Sequence, residues 1–418
     1  VDMSRAQDVI DKPAYDIDGI RADFPILNQE VHGKPLIFLD NGASAQKPRQ
    51  VIDAMRDVYE AEYANVHRGA YYLSEKATER YEGARDIVQR FLNARNRQEI
   101  VFSKNVTEAI NLVAYSYARR VLEPGDEIII TDMEHHSNIV PWQLMRDERD
   151  LVLKFVSCTD DGEFRIEDLA KLITPKTRLI SLTHVSNVLG TVVPIKEVAK
   201  LAHDNGAKLM VDGAQAVMHM PVDVQDLDCD FYAFTGHKIY GPSGIGVLYG
   251  KAELLETMPP FLAGGDMIST VSMGKSTWAA LPAKFEAGTP PIAQAIGLGV
   301  ALEYVSSIGL EGIAAHEIDL LTHATQQLSS IDGLRIIGTA PGKTSVISFT
   351  MDCAHPHDIS TIIDRAGVSV RAGHHCAQPL MERMGVPATT RASFGMYNTR
   401  DEVDTLVAAL DSVRELFG

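Results

Sequence analysis

Six short apolar runs, at 127–131, 151–156, 178–183, 208–212, 231–234 and 246–249, constrain this 418-residue chain most. Each is apolar almost without a break, and helical patterns such as 195–203 fall between them. A strand with one wet face alternates polar and apolar residues, whereas a strand buried on both faces does not. The runs therefore predict a mostly parallel α/β sheet with helices on both faces. Ligands of such sheets sit beyond the carboxyl ends of the strands. The residues that follow these runs suit that place: Glu134, His135 and His136; His184 to Asn187; Asp212 and Gln215; Thr235, His237 and Lys238.

Two further strands are expected at 36–40, ending in the turn Asn41-Gly42-Ala43-Ser44, and at 99–103, leading into a helix at 106–113. From about Pro290 the order changes. Helices read at 293–307, 313–329, 357–366 and 401–417, with strands at 334–337, 345–350 and 368–371. That is α+β order, and the chain is long enough for two cores. The expected division is a large α/β domain at 29–290 and a small α+β domain from 1–28 and 291–418, with helix 293–307 as the link. A helical pattern at Val9 and Ile10 and a second short helix capped by Asp18 precede the large domain.

Acidic residues outnumber basic ones, 56 to 39, for a net charge of −17. Such a chain repels phosphate backbones, so nucleic acid is not an expected partner. No apolar run approaches the roughly 20 residues of a membrane span. Residues 1–11 are polar, with no signal-peptide core, and a cytoplasmic location is expected. Cys158, Cys229, Cys353 and Cys376 form no CxxC pair, which fits a reducing compartment. The first three read as small buried hydrophobes.

Lys238 follows the aromatic run Phe231, Tyr232, Phe234 and precedes a turn rich in glycine (Gly241, Gly244, Gly246). A lysine fixed between two tight stretches suits a Schiff base, which needs a partly desolvated amine of lowered pKa. Asp212, at the end of an upstream buried-type strand, is the acid that a pyridinium nitrogen asks for. Together they point to pyridoxal phosphate (PLP). Thr107 stands at a helix N-terminus, where free amides favour an anion such as phosphate, or it caps that helix. Cys376 sits in Arg371-Ala372-Gly373-His374-His375-Cys376-Ala377-Gln378-Pro379, a polar loop suited to an activated thiolate. Three adjacent residues rarely share one tetrahedral zinc, so no metal is expected there. Arg391 suits a carboxylate or a surface ion pair. His135 suits stacking on a planar ring or a structural hydrogen bond.

The stretches MEHHSNIVPW, THVSNVLGT, VDGAQAV, FTGHKIYGPSGIG, KFEAGTP and RAGHHCAQP, in this order, resemble the SufS-type (group II) cysteine desulfurases. These belong to the class V branch of fold-type I PLP-dependent enzymes, and the resemblance runs from about Ile20 to the C-terminus. It implies a seven-stranded-type, mostly parallel sheet domain with a smaller α+β domain, assembled as a homodimer. It implies that Lys238 carries the cofactor, Asp212 pairs with the ring nitrogen, Gln215 meets the ring hydroxyl and His135 stacks on the ring. Thr107, Thr235 and His237 would hold the phosphate, with Thr289 of the partner subunit. Asn187 and Arg391 would bind the substrate carboxylate, and Arg371, with His67 and Arg68, would line the mouth. Lys238, His135 and Cys376 form the catalytic set. Sulfur from L-cysteine would pass to Cys376 as a persulfide, leaving L-alanine. An acceptor of SufE or SufU type would then carry it towards iron–sulfur scaffold proteins. A selenocysteine lyase, a cysteine sulfinate desulfinase and a silent sulfur-transfer scaffold are the competing readings.

Overall fold

The computed structural model describes residues 15–417. The pattern at Val9 and Ile10, like the polar stretch 1–11, lies outside the described residues. Seven strands form the central sheet: β1 Ile100–Ser103, β2 Glu127–Thr131, β3 Val152–Val156, β4 Thr177–Thr183, β5 Lys208–Asp212, β6 Phe231–Thr235 and β7 Gly246–Gly250. Their order is β1-β7-β6-β5-β4-β2-β3. Strands β6, β5, β4, β2 and β3 pair in parallel, and β7 alone runs antiparallel to its neighbours. Every residue of β1, β2, β6 and β7 is buried, which explains their largely apolar sequences, while edge strand β3 keeps exposed positions. Register aligns Thr183 with Asp212, so the carboxyl ends of β4 and β5 stand level, and Asp212 with Ala233, so β6 runs two residues further, to Thr235.

A second, antiparallel sheet has the order β8-β9-β11-β10, from β8 Leu334–Ile337, β9 Val346–Met351, β10 Arg371–Gly373 and β11 Thr389–Ser393. Helices Leu310–Ser329, Pro356–Asp364 and Arg400–Phe417 enclose its own core, around Leu320, Ile347, Phe349, Ile359 and Leu406.

The structure departs from the sequence expectations in three places. Helix Ile292–Ile308 is buried on most of its surface and packs on the central unit: a Cβ at Gly299 would meet Ala84, and one at Gly297 would meet Met55. The chain leaves that unit at Gly309, whose φ of 92° ends the helix, rather than near 290. The strand Ile37–Phe38 pairs in parallel with Val368–Ser369, so it is hydrogen-bonded to the smaller unit. A two-residue strand carries no sequence signal of its partner. The helix Ile17–Ala22 is capped by Asp16, which accepts from the Gly19 amide at 3.0 Å, and Asp18 lies inside its first turn.

Candidate active site

A cavity of about 340 Å³ opens where the two units meet. The central sheet contributes His135 after β2, Asn187 after β4, Asp212 and Gln215 at the end of β5, and Thr235, His237 and Lys238 at the end of β6. Thr107 enters from the turn after β1, and the smaller unit adds Arg371, Cys376 and Arg391. Residues up to 349 positions apart therefore converge only through the fold (Gly42 to Arg391). Thr289 lines a second cavity, with Lys104, Gly244 and Glu286, and His67 and Arg68 line a third, beside Asp266.

Burial pushes the Lys238 amine down to about 8, with Asp212 opposing and Arg391 reinforcing that shift. The peptide that carries it is firmly held. The His237 carbonyl accepts from the Ala45 amide at 3.1 Å, the Ser44 hydroxyl at 3.3 Å and the Lys47 amine at 3.1 Å. Asp212 is buried and accepts from the Ala214 amide at 3.0 Å; burial raises its carboxyl and Lys238 opposes the rise.

Asn105, not Thr107, caps the helix that starts at Val106: its side chain accepts from the Glu108 amide at 2.9 Å. Thr107 is thus exposed to the cavity rather than tied to its own backbone. Gly246 permits this turn to lie against the sheet, because a Cβ there would come within 2.6 Å of Asn105 Cα.

His135 Nδ1 accepts from the Ser137 amide at 3.1 Å and meets the Ser137 hydroxyl at 2.8 Å. Its hydrogen is therefore on Nε2. Burial first, then the charges of Lys238, His136 and Arg391, push it down to about 3, so the ring is neutral at pH 7. Its loop hangs on Glu134, a buried carboxyl that accepts from Thr131 Oγ1 at 2.6 Å, Asn138 Nδ2 at 2.7 Å and the Thr183 amide at 3.0 Å. Burial pushes Glu134 up to about 8 against those donors.

Arg391 is buried and donates from Nη1 to the Asn187 carbonyl at 2.9 Å and from Nη2 to Asp40 at 3.2 Å. Cys376 is exposed to the cavity mouth. It follows His375, and both take left-handed backbone, with φ of 55° and 54°. Such residues cost about 1 kcal/mol or more each, and surrounding bonds hold them. Asn187 Nδ2 donates to the His375 carbonyl at 2.8 Å, the His136 amide to the Cys376 carbonyl at 2.7 Å, and His375 Nε2 meets Thr389 Oγ1 at 2.8 Å.

Sequence reasoning passed over Asp40, Gly42, Glu134 as an anchor, Ser137 and His375. Asp40 ends a short apolar strand before a turn, the same signal that marked Asp212, and so was open to detection. Gly42 acts through its carbonyl, which accepts from Gln215 Nε2 at 2.7 Å, and a carbonyl leaves no mark in a sequence.

Five buried polar atoms on residues lining this cavity have no partner among the described residues: Thr235 Oγ1, Gln215 Oε1, Asn187 Oδ1, His375 Nδ1 and Arg391 Nε. Each such group costs about 1–3 kcal/mol if left unmade. With an acid and an amine of lowered pKa beside them, they fit a polar guest with a basic ring, an aldehyde and a phosphate, which is PLP.

The family model described as aminotransferase class-V matches residues 37–406. The chain belongs to the class V aminotransferases. PLP is the cofactor of this family. A cysteine desulfurase of Dickeya dadantii is 52% identical over 405 residues, covering 97% of this chain and 98% of the relative. A probable cysteine desulfurase of Streptomyces coelicolor is 51% identical over 410 residues, with 96% and 98% covered. Among solved structures, the cysteine desulfurase CsdA of Escherichia coli superposes with a TM-score of 0.91 at 40% identity, covering 97% of this chain and 100% of that one. This class V aminotransferase therefore shares its large mostly parallel sheet with solved relatives.

Proposed function

We propose that this chain is a PLP-dependent cysteine desulfurase of the SufS type, converting L-cysteine to L-alanine with its sulfur passed to Cys376. The observation that carries the reading is one cavity that holds Lys238, Asp212, Arg391 and an exposed cysteine together. Overall, L-cysteine and the Cys376 thiol give L-alanine and a Cys376 persulfide, and all atoms balance.

Lys238 would hold the cofactor, Asp212 would pair with its ring nitrogen, Gln215 with its ring hydroxyl, and Thr107, Thr235 and His237 would hold its phosphate. When bound, PLP supplies a conjugated cationic ring that withdraws electrons from the substrate Cα. Arg391 and Asn187 orient the substrate through its carboxylate. The Lys238 amine, with its pKa near 8, accepts the Cα proton and returns a proton to carbon. His135, neutral with its hydrogen on Nε2, would cover the ring and can offer a proton at that atom. The Cys376 sulfur attacks the substrate sulfur; the new S–S bond forms as the Cβ–S bond breaks. Arg371 borders the entrance, whereas His67 and Arg68, expected at the mouth, line a separate cavity.

The short GHHC-AQP loop supports the SufS-type assignment, and Cys376 at its tip is placed for hand-over to a SufE- or SufU-type acceptor that feeds iron–sulfur scaffold proteins. A homodimer is supported by exposed apolar side chains, among them Tyr71, Tyr72, Val271, Met273 and Trp278, and there Thr289 of the partner subunit completes the phosphate site. No single helix among the described residues is long and apolar enough to cross a membrane, and the proposed location is the cytoplasm. Within the fold, the smaller unit carries the cysteine loop to the edge of the PLP-binding unit.

The test is product formation by the purified holoenzyme offered L-cysteine, L-selenocysteine and L-cysteine sulfinate separately. L-alanine with protein-bound persulfide from L-cysteine is expected. Turnover of the selenium or sulfinate substrate alone would replace this reading with a lyase or desulfinase.

A further inference from the structure

Arg371 and Arg391 are Cα partners across β10 and β11. Like charges directly opposite on paired strands repel. Asp40 joins the same sheet through its bridge to Ser393 and supplies the counter-charge. Arg371 donates to it from Nε at 3.1 Å and from Nη2 at 2.8 Å, while Arg391 donates from Nη2 at 3.2 Å. Arg371's fork is thus closed on a carboxylate. Arg391, with Nη1 on the Asn187 carbonyl, keeps its buried Nε without a partner among the described residues.

We infer that Asp40 sets the charge of the substrate pocket and so selects the class of amino acid it admits. The inference rests on the reading that Arg391 receives the substrate carboxylate. Two arginines and one aspartate sum to one positive charge, the match for a single carboxylate. An amino acid with a second anionic group finds Arg371 already occupied. The trio is sheltered enough for this to matter: Arg391 is 2% and Asp40 15% exposed at the side chain, although Arg371 is 50% exposed. Asp40 is therefore a specificity-determining residue that acts through the two arginines.

The experiment compares L-alanine with L-aspartate as ligands of the PLP holoenzyme, with affinity read from the ligand-dependent rise in Tm and from the visible band. In Asp40→Asn the ratio of the two affinities should move about tenfold towards L-aspartate, the effect of one unit charge at short, partly buried range. That shift should vanish in the double variant Asp40→Asn with Arg371→Gln. An unchanged ratio in Asp40→Asn, or a shift that survives loss of Arg371, overturns the inference. If Asp40→Asn fails to fold, Arg371→Gln alone decides. Its pocket sums to zero, so L-alanine should bind about tenfold more weakly, and unchanged binding overturns the inference. Neither ligand carries sulfur, so the outcome is separate from whether L-cysteine is desulfurated.

Discussion

The main-chain carbonyl of Cys376 accepts a 2.7 Å hydrogen bond from the amide of His136. One contact thereby registers the thiol-bearing loop of the smaller unit against the loop that carries His135. Asn187 repeats the device one residue away, through the His375 carbonyl at 2.8 Å. The candidate nucleophile is placed by backbone bonds to the cofactor-side loops, which leaves its side chain free at the cavity mouth.

The lowered pKa of Lys238 has a consequence for stability. An amine at about 8 in the fold and 10.5 when unfolded opposes folding by about 3 kcal/mol below pH 8. Between those values the unfolded chain holds the extra proton, so stability rises with pH, and the penalty is gone above 10.5. Cofactor-free Lys238→Met should therefore unfold later than cofactor-free wild type at pH 7, and the advantage should fade towards pH 10.5. Thermal unfolding across that range checks it. The same variant, given PLP, should show no covalent visible band and no turnover.

Arg391→Gln removes a buried charged donor whose proposed partner is the substrate carboxylate. The expected result is a KM for L-cysteine raised about thirtyfold or more, with the cofactor band intact. Steady-state kinetics beside the visible spectrum separates this from a structural role, in which band and KM would fail together.

Gly246→Ala places a methyl within 2.6 Å of Asn105 Cα. The helix start at Val106 and Thr107 must move outward. PLP affinity should fall about tenfold or more, as expected when phosphate donors lose their aim, while the fold persists. Titration of apoenzyme with PLP, followed by absorbance, measures this.

Glu134→Ala strands three buried donors, Thr131 Oγ1, Asn138 Nδ2 and the Thr183 amide. A loss of about 3 kcal/mol in denaturant unfolding is expected, together with weaker PLP binding as the His135 loop loosens.

The sheet was legible because strands buried on both faces are apolar with few breaks, as 128–130 and 231–234 are. The residues after those strands were legible as site candidates for the same reason, since the rule about carboxyl ends needs only strand positions. The division of the chain was less legible. Helix Ile292–Ile308 is apolar on every side, and such a helix does not declare which unit will bury it. Arg391 read equally as a surface ion pair, because nothing local reveals that β11 is a central strand with every residue buried. Asp40 carries the strand-end signal of Asp212, but its pairing with Arg371 and Arg391, more than 300 residues away in sequence, leaves no local mark.

The measurement that bears most directly on the central claim is L-alanine formation from L-cysteine by wild type and Cys376→Ala, with the visible spectrum of each recorded. Both proteins should be yellow, and only the wild type should turn over and carry a persulfide at Cys376. Equal alanine release by Cys376→Ala would contradict the account, because the sulfur would then have left by a route that does not use this cysteine.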